Sequence, residues 1–124
     1  MAPSNTAKLV DSTATIDELK ALVDRFVEER SWKPFHSPKN LAMSISIEAA
    51  ELMEHFQWTN PESVAKSVEH DSPIAQELSD VIAYALALAN VLGIDLSRAL
   101  ESKMERNRVK YPVGVPFLPK GLSN

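Results

Sequence analysis

The chain has no cysteine and only 3 histidines among its 124 residues. Disulfide cross-links and thiolate metal centres are therefore excluded, and a histidine-rich zinc site is hard to assemble. Positive charge is not in excess either. The formal net charge of −4 leaves no electrostatic footprint for nucleic acid or for an anionic membrane. No signal-peptide core follows Met1, and the longest apolar run, Val81 to Leu92, is shorter than a bilayer requires. These absences lead to the expectation of a cytoplasmic protein with no membrane and no nucleic-acid partner. The length suits one domain with one core.

What the sequence does have is two short acidic phrases, Glu48-Ala-Ala-Glu51 and Glu77-Leu-Ser-Asp80. Each sets two carboxylates at i and i+3, on one face of a helix. Each also stands among apolar residues: Ile45, Ile47, Leu52, Met53 and Phe56 around the first, Leu78, Val81, Ile82, Leu86 and Leu88 around the second. Carboxylates on an apolar face need compensating positive charge. Two helices packed with these pairs facing would gather four carboxylates, a donor set suited to Mg²⁺ or Mn²⁺. For any single glutamate a solvated helix face is the simpler account. That account weakens here because two spaced pairs occur, one at the start of a very apolar helix.

The surrounding pattern is helical throughout. Thr15 to Glu18 reads as a capping box, and Leu19, Leu22, Val23 and Phe26 continue a first helix to about Arg30. Ser31 to Ser37 reads as a ring-rich loop, where Pro34 would interrupt a helix. Ser37 and Pro38 open a second helix to about Gln57 or Trp58, and a short helix is expected from there to about His70. Asp71-Ser72-Pro73 opens a third helix, ended by Gly93. It is apolar nearly all round beyond Val81, the pattern of a central, buried helix. Asp95 caps a last helix to about Arg108 or Lys110, followed by an extended stretch from Tyr111 to Pro116. The class is all-α. Residues 1–14 are expected to be flexible, 15–112 to form the domain and 113–124 to be an extended tail.

Rings bracket the acidic helices: Trp32, Phe35, His36, Trp58 and Tyr84. Core packing is the ordinary role, above all for Phe35. Trp32 and Trp58 fall at helix ends, where a ring can stay accessible and stack on a planar ligand. Lys103 suits a phosphate oxygen as a point charge, and Asn107, one turn on, could add a hydrogen bond. The dipeptide His70-Asp71 matches a metal-binding pair of other helical phosphohydrolases, but no other histidine is spaced to support it. Ferritin-like sites want Glu-x-x-His, which neither acidic pair supplies.

Taken together these motifs resemble the MazG-like all-α nucleoside triphosphate pyrophosphohydrolases, and within them the dCTP pyrophosphatase branch. The resemblance rests on Phe26 to Trp32, Phe35 to Leu41, Glu51 to Trp58, Glu77 to Tyr84 and Lys103 to Pro112, and so covers about Ile16 to Pro112. It implies a four-helix core assembled as a homodimer or homotetramer. It also implies Mg²⁺-dependent hydrolysis of a deoxynucleoside triphosphate, dCTP or a related pyrimidine nucleotide, to the monophosphate and pyrophosphate. By this resemblance Glu48, Glu51, Glu77 and Asp80 are metal ligands and catalytic. Trp32, His36, Trp58 and Tyr84 line the nucleotide pocket, and Lys103 and Asn107 contact phosphate. Two positions depart from the pattern. Ile47 stands where many members have a further glutamate, and Val23 where relatives have histidine. The same fold acting on dUTP or a damaged nucleotide, or a helical module that binds or oligomerises without catalysis, are the alternatives.

Overall fold

Short polar side chains set where each helix begins. In a computed structural model that describes residues 8–60 and 68–116, Thr15, Ser37, Ser72 and Asp95 each accept a backbone N–H three residues on. The capping box at Thr15 is complete: Glu18 N–H donates to Thr15 Oγ1 at 3.1 Å, and Thr15 N–H donates to Glu18 Oε1 at 2.8 Å. Pro38 and Pro73 occupy the first helical positions, where no N–H is needed. The helices are α1 (Ile16–Glu29), α2 (Pro38–Glu54), α3 (Pro73–Leu92) and α4 (Leu96–Lys110). There is no strand among the described residues. The architecture is all-α, with four α-helices among the described residues.

The chain divides into two compact units, one ending at Ile94 and one beginning at Asp95. In the first, α3 packs along α2 and also against α1. Val27 of α1, Leu41 of α2, and Leu86, Ala87 and Ala89 of α3 make its core. Leu41 is the most enclosed at 1 % exposure, a burial worth about 1.5–3 kcal/mol. The expected all-round burial of α3 is not found: Leu78, Ile82, Val91 and Leu92 are each about half exposed, because α1 and α2 cover only part of the helix. As a whole α3 also has the length and composition of a membrane span, a test that core helices of globular proteins pass as well.

Helix ends follow backbone chemistry. At α1 the Ser31 N–H bonds to Glu28 O and the Trp32 N–H to Val27 O, both at 3.0 Å. This is the Schellman arrangement, and it places Ser31 at φ 56°, a left-handed position that usually holds glycine. At α3 the same role falls to Gly93, at φ 68°, with the Ile94 N–H closing on Ala89 O at 3.0 Å. The second helix stops at Glu54, earlier than expected, because the chain tightens into i→i+3 turns at His55 and Phe56. Residues 61–67 of the anticipated short helix lie outside the described residues, while Val68 and Glu69 are not helical.

Residues 10–14 form a turn, with Val10 O accepting from Thr13 and Ala14. In the second unit α4 ends in Arg108 and Lys110, favourably placed for its dipole. The stretch expected to extend from Tyr111 instead turns back. The Val115 N–H reaches Pro112 O at 3.3 Å, and Gly114 takes the positive φ of 90° that this turn needs.

Candidate functional site

Packing of α2 on α3 brings the acidic phrases together. Glu48, Glu51 and Glu77 each offer a carboxylate oxygen, all within 4.8 Å of one another. Asp80 stands beside them, near enough to help raise the Glu48 carboxyl. The i, i+3 spacing explains the convergence: each helix presents both of its acids to the seam. Glu48 and Glu77 are half-buried, whereas Glu51 and Asp80 are exposed.

Such crowding is costly without a cation. Burial pushes the Glu48 carboxyl up to about 7, helped by hydrogen bonding and negative charge from Glu51 and then from Asp80. None of the four acids takes part in an ion pair among the described residues; Lys33, Arg30 and Arg108 pair with other carboxylates. A cluster of hard oxygen donors with unneutralised charge fits a divalent ion such as Mg²⁺.

The rings form the adjoining wall. Trp32 lies 5.6 Å from Phe26 and 6.4 Å from His36, which lies 6.4 Å from Tyr84, all between ring centroids. Between them runs an open cleft of about 110 Å³, with Asp80 at its edge. Tyr84 follows Asp80 by four residues, so α3 carries the acidic edge and one ring on the same face. The chain between α1 and α2 is fixed by backbone: the Phe35 N–H bonds to Trp32 O, the His36 N–H to Lys33 O, and Asn40 Nδ2 donates to Phe35 O. A single 3-10 turn over Lys33–Phe35 results, and it aims His36 into the cleft.

Of the residues singled out from sequence, the first unit thus gathers Glu48, Glu51, Glu77, Asp80, Trp32, His36 and Tyr84. Trp58 is not among them: it is 88 % exposed, beyond the end of α2. Phe35 is not in the core but 67 % exposed, since the 3-10 turn directs it away from the cleft. Lys103 and Asn107 lie one turn apart on α4, in the second unit. Sequence reasoning missed Phe26 as a cleft residue. Its helical spacing marked it as core, but Arg30 covers its outer face at 3.7 Å and Trp32 its edge. Lys33, in the loop between α1 and α2, ties that loop to α1: its Nζ pairs with Glu28 at 2.7 Å and Asp24 at 3.3 Å.

Comparison with known proteins gives a concordant picture. Residues 43–115 match the model of the MazG-like family. The dCTP pyrophosphatase 1 of Rattus norvegicus is 40 % identical over 102 residues, covering 80 % of this chain and 60 % of that protein. The Homo sapiens dCTP pyrophosphatase 1 is 39 % identical over 101 residues, covering 79 % and 59 % respectively. The chain thus spans about 60 % of the length of the curated relatives it matches. A pyrophosphatase from Archaeoglobus fulgidus, known from a crystal structure, superposes with a TM-score of 0.72 at 39 % identity, over 85 % of this chain and 99 % of that one. With more than half its residues matched and the helices and acidic pairs in place, the chain belongs to the MazG-like family.

Proposed function

We propose that this protein hydrolyses a deoxynucleoside triphosphate, dCTP or a related pyrimidine nucleotide, to the monophosphate and pyrophosphate, and so cleanses the nucleotide pool. The observation that carries the reading is the junction at Asp80, where a crowded carboxylate cluster meets a ring-walled cleft. A triphosphate needs charge neutralisation at one end and a flat apolar slot for its base at the other. The names of the relatives support the same reaction class.

Glu48, Glu51, Glu77 and Asp80 would hold Mg²⁺, with Mn²⁺ as a substitute. The ion would supply charge neutralisation for the triphosphate and bring a water into line with the α-phosphorus. The Glu48 or Glu51 carboxylate would accept the proton of that water. Trp32, His36 and Tyr84 would hold the base and sugar, with Trp58 as a further ring. Lys103 would stabilise charge on the departing pyrophosphate, and Asn107 would add a hydrogen bond to phosphate. We also place the protein in the cytoplasm as a homodimer or homotetramer. The exposed i, i+4 pairs Met43 with Ile47 on α2 and Leu78 with Ile82 on α3 support association.

The test is pyrophosphate release from dCTP with and without Mg²⁺, alongside Glu77→Gln. Release that requires Mg²⁺ and collapses in the variant supports the reading. Folded, Mg²⁺-supplied protein that releases pyrophosphate from no triphosphate would refute it.

A further inference from the structure

Two rings of the cleft, Trp32 and His36, come from a loop with little burial of its own. No residue of its 3-10 turn is buried, and Trp32 and Phe35 are both exposed. A segment without an apolar anchor is held by its polar ties. Here they come from both flanking helices. The Ser31 and Trp32 N–H groups close on carbonyls of α1, and Asn40 Nδ2 on α2 donates to Phe35 O. Lys33 adds a side chain that reaches back to α1.

Its position in the loop is central. Lys33 directly follows Trp32, and its carbonyl accepts the His36 N–H at 3.0 Å. Its Nζ lies 2.7 Å from Glu28 Oε1 and 3.3 Å from Asp24 Oδ1. Asp24 and Glu28 are four residues apart on α1, so their carboxylates share a face and repel one another. A cation between them relieves that repulsion and gains two partners in one seat. A single exposed ion pair holds little; one ammonium shared by two carboxylates a turn apart has a defined place. Asp24 and Lys33 also line, with His36, a cavity of about 220 Å³ that shares Val23, Val27 and Ala87 with the ring cleft. The clamp lies on α1 and the loop, whereas the carboxylate cluster lies on α2 and α3.

We infer that Lys33 is a positioning residue for the base site: by bridging Asp24 and Glu28 it holds Trp32 and His36 in place to receive the base, and so acts on KM rather than kcat. This rests on the triphosphate hydrolysis proposed above. It adds to that reading three residues outside the carboxylate cluster and the ring stack, which act through the rings without touching the substrate.

The experiment measures kcat and KM for dCTP with Mg²⁺ in the full chain. The proteins are wild type, Lys33→Met, Lys33→Arg, the double variant Asp24→Asn with Glu28→Gln, and the triple variant that adds Lys33→Met to the double. Lys33→Met should raise KM about three- to tenfold and leave kcat within about twofold. The double variant should do the same, and the triple should be no worse than either, because all of them break one clamp. Lys33→Arg, whose fork can serve two carboxylates, should keep the wild-type KM. Trp32 and Trp58 are the chain's 2 tryptophans, so in a Trp58→Phe background fluorescence reports Trp32. Acrylamide should quench it more when Lys33 is replaced by Met. Quenching should also grow as NaCl rises from about 0.01 M to about 1 M, over which the Debye length shortens from about 30 Å to about 3 Å. That salt arm stands even if the clamp variants fail to fold. An unchanged KM in Lys33→Met would overturn the inference while leaving the hydrolase reading intact. So would a raised KM in Lys33→Met beside a wild-type KM in the double variant, since Lys33 would then touch the nucleotide itself. Hydrolysis of no triphosphate at all would overturn both.

Discussion

Glu48 on α2 faces Asp80 on α3 across the seam between the two helices, and with burial and Glu51 this neighbour helps to hold the Glu48 proton. Carboxyl groups this crowded can hydrogen-bond one another only while one of them carries a proton. The seam is therefore comfortable when protonated and strained by its own charge when ionised. A divalent cation at the same place would supply what the proton supplies. The energetics of the cluster and its capacity for metal are two sides of one arrangement.

Its pH dependence follows. The Glu48 carboxyl titrates near 7 in the folded chain and near 4.5 as an ordinary glutamate. Between those values the folded state holds more protons than the unfolded state, so this contribution to stability is full at low pH and is lost as pH rises toward 7. In EDTA, wild-type Tm should fall relative to Glu48→Gln between pH 4.5 and pH 8, and the variant should be the more stable at pH 8. Parallel Tm–pH curves for the two proteins would count against it.

Metal should reverse the ordering. Mg²⁺ at about 100 times its Kd stabilises a protein by about 2.7 kcal/mol. Wild type should show that rise at pH 8, and Glu77→Gln should lose most of it. Its activity should drop by more than the roughly 10–100-fold typical of a residue that only supports a metal ligand. Calorimetry of metal binding and a Tm series in Mg²⁺ check both statements. The exposed neighbour Glu54, on α2 but outside the cluster, is the control position: Glu54→Gln should leave the Mg²⁺ response intact.

The ring wall makes its own claim. Stacking of a base on an aromatic side chain is worth about 1–3 kcal/mol. Trp32→Ala should raise KM for dCTP by about 5- to 100-fold, with a smaller change in kcat. Trp58, exposed beyond α2, should cost less when replaced by alanine. Steady-state kinetics on the two variants decide between them, and an equal or larger penalty at Trp58 would show that the bound state recruits it.

Much of this was legible in the sequence because it is local. The capping box at Thr15, the Ser–Pro starts of α2 and α3 and the glycine stop at Gly93 are set by neighbours a few residues away. So is the pairing of acids on each helix. What periodicity could not give was which side of an apolar helix is covered. Leu78 and Ile82 look as internal as Leu86, and only the placement of α1 and α2 separates them. Phe26 and Phe35 both depart from the core role expected of them for a similar reason: a 3-10 turn and an arginine overhead decide where each ring faces. The early end of α2 and the turn after Tyr111 depend on backbone hydrogen bonds that residue spacing alone does not specify.

The core carries a separate expectation. Leu41 is almost wholly enclosed, and α2 is the helix that supplies Glu48 and Glu51. Leu41→Ala should destabilise the protein by about 2–5 kcal/mol. If α2 then shifts on α3, Mg²⁺ affinity should weaken with it, although no metal-binding residue has changed. Urea unfolding together with a Mg²⁺ titration measures the two effects on one sample.

Ser31 offers the opposite sign. It sits at φ 56°, where a side chain costs about 1–2 kcal/mol and glycine none. Glycine gives back part of that gain through the greater freedom of the unfolded chain, about 0.4–1 kcal/mol. Ser31→Gly should therefore stabilise by about 0.5–1 kcal/mol, or roughly 2–4 °C in Tm. The position matters beyond stability because the Trp32 N–H closes the same motif on Val27 O, and Trp32 leads into the ring wall. If the turn only positions Trp32, the variant should gain stability and keep wild-type KM. A gain in Tm accompanied by a raised KM would instead show that the strained serine holds the ring at the angle the base requires. A loss of Tm would mean that the left-handed turn is not the dominant conformation in solution.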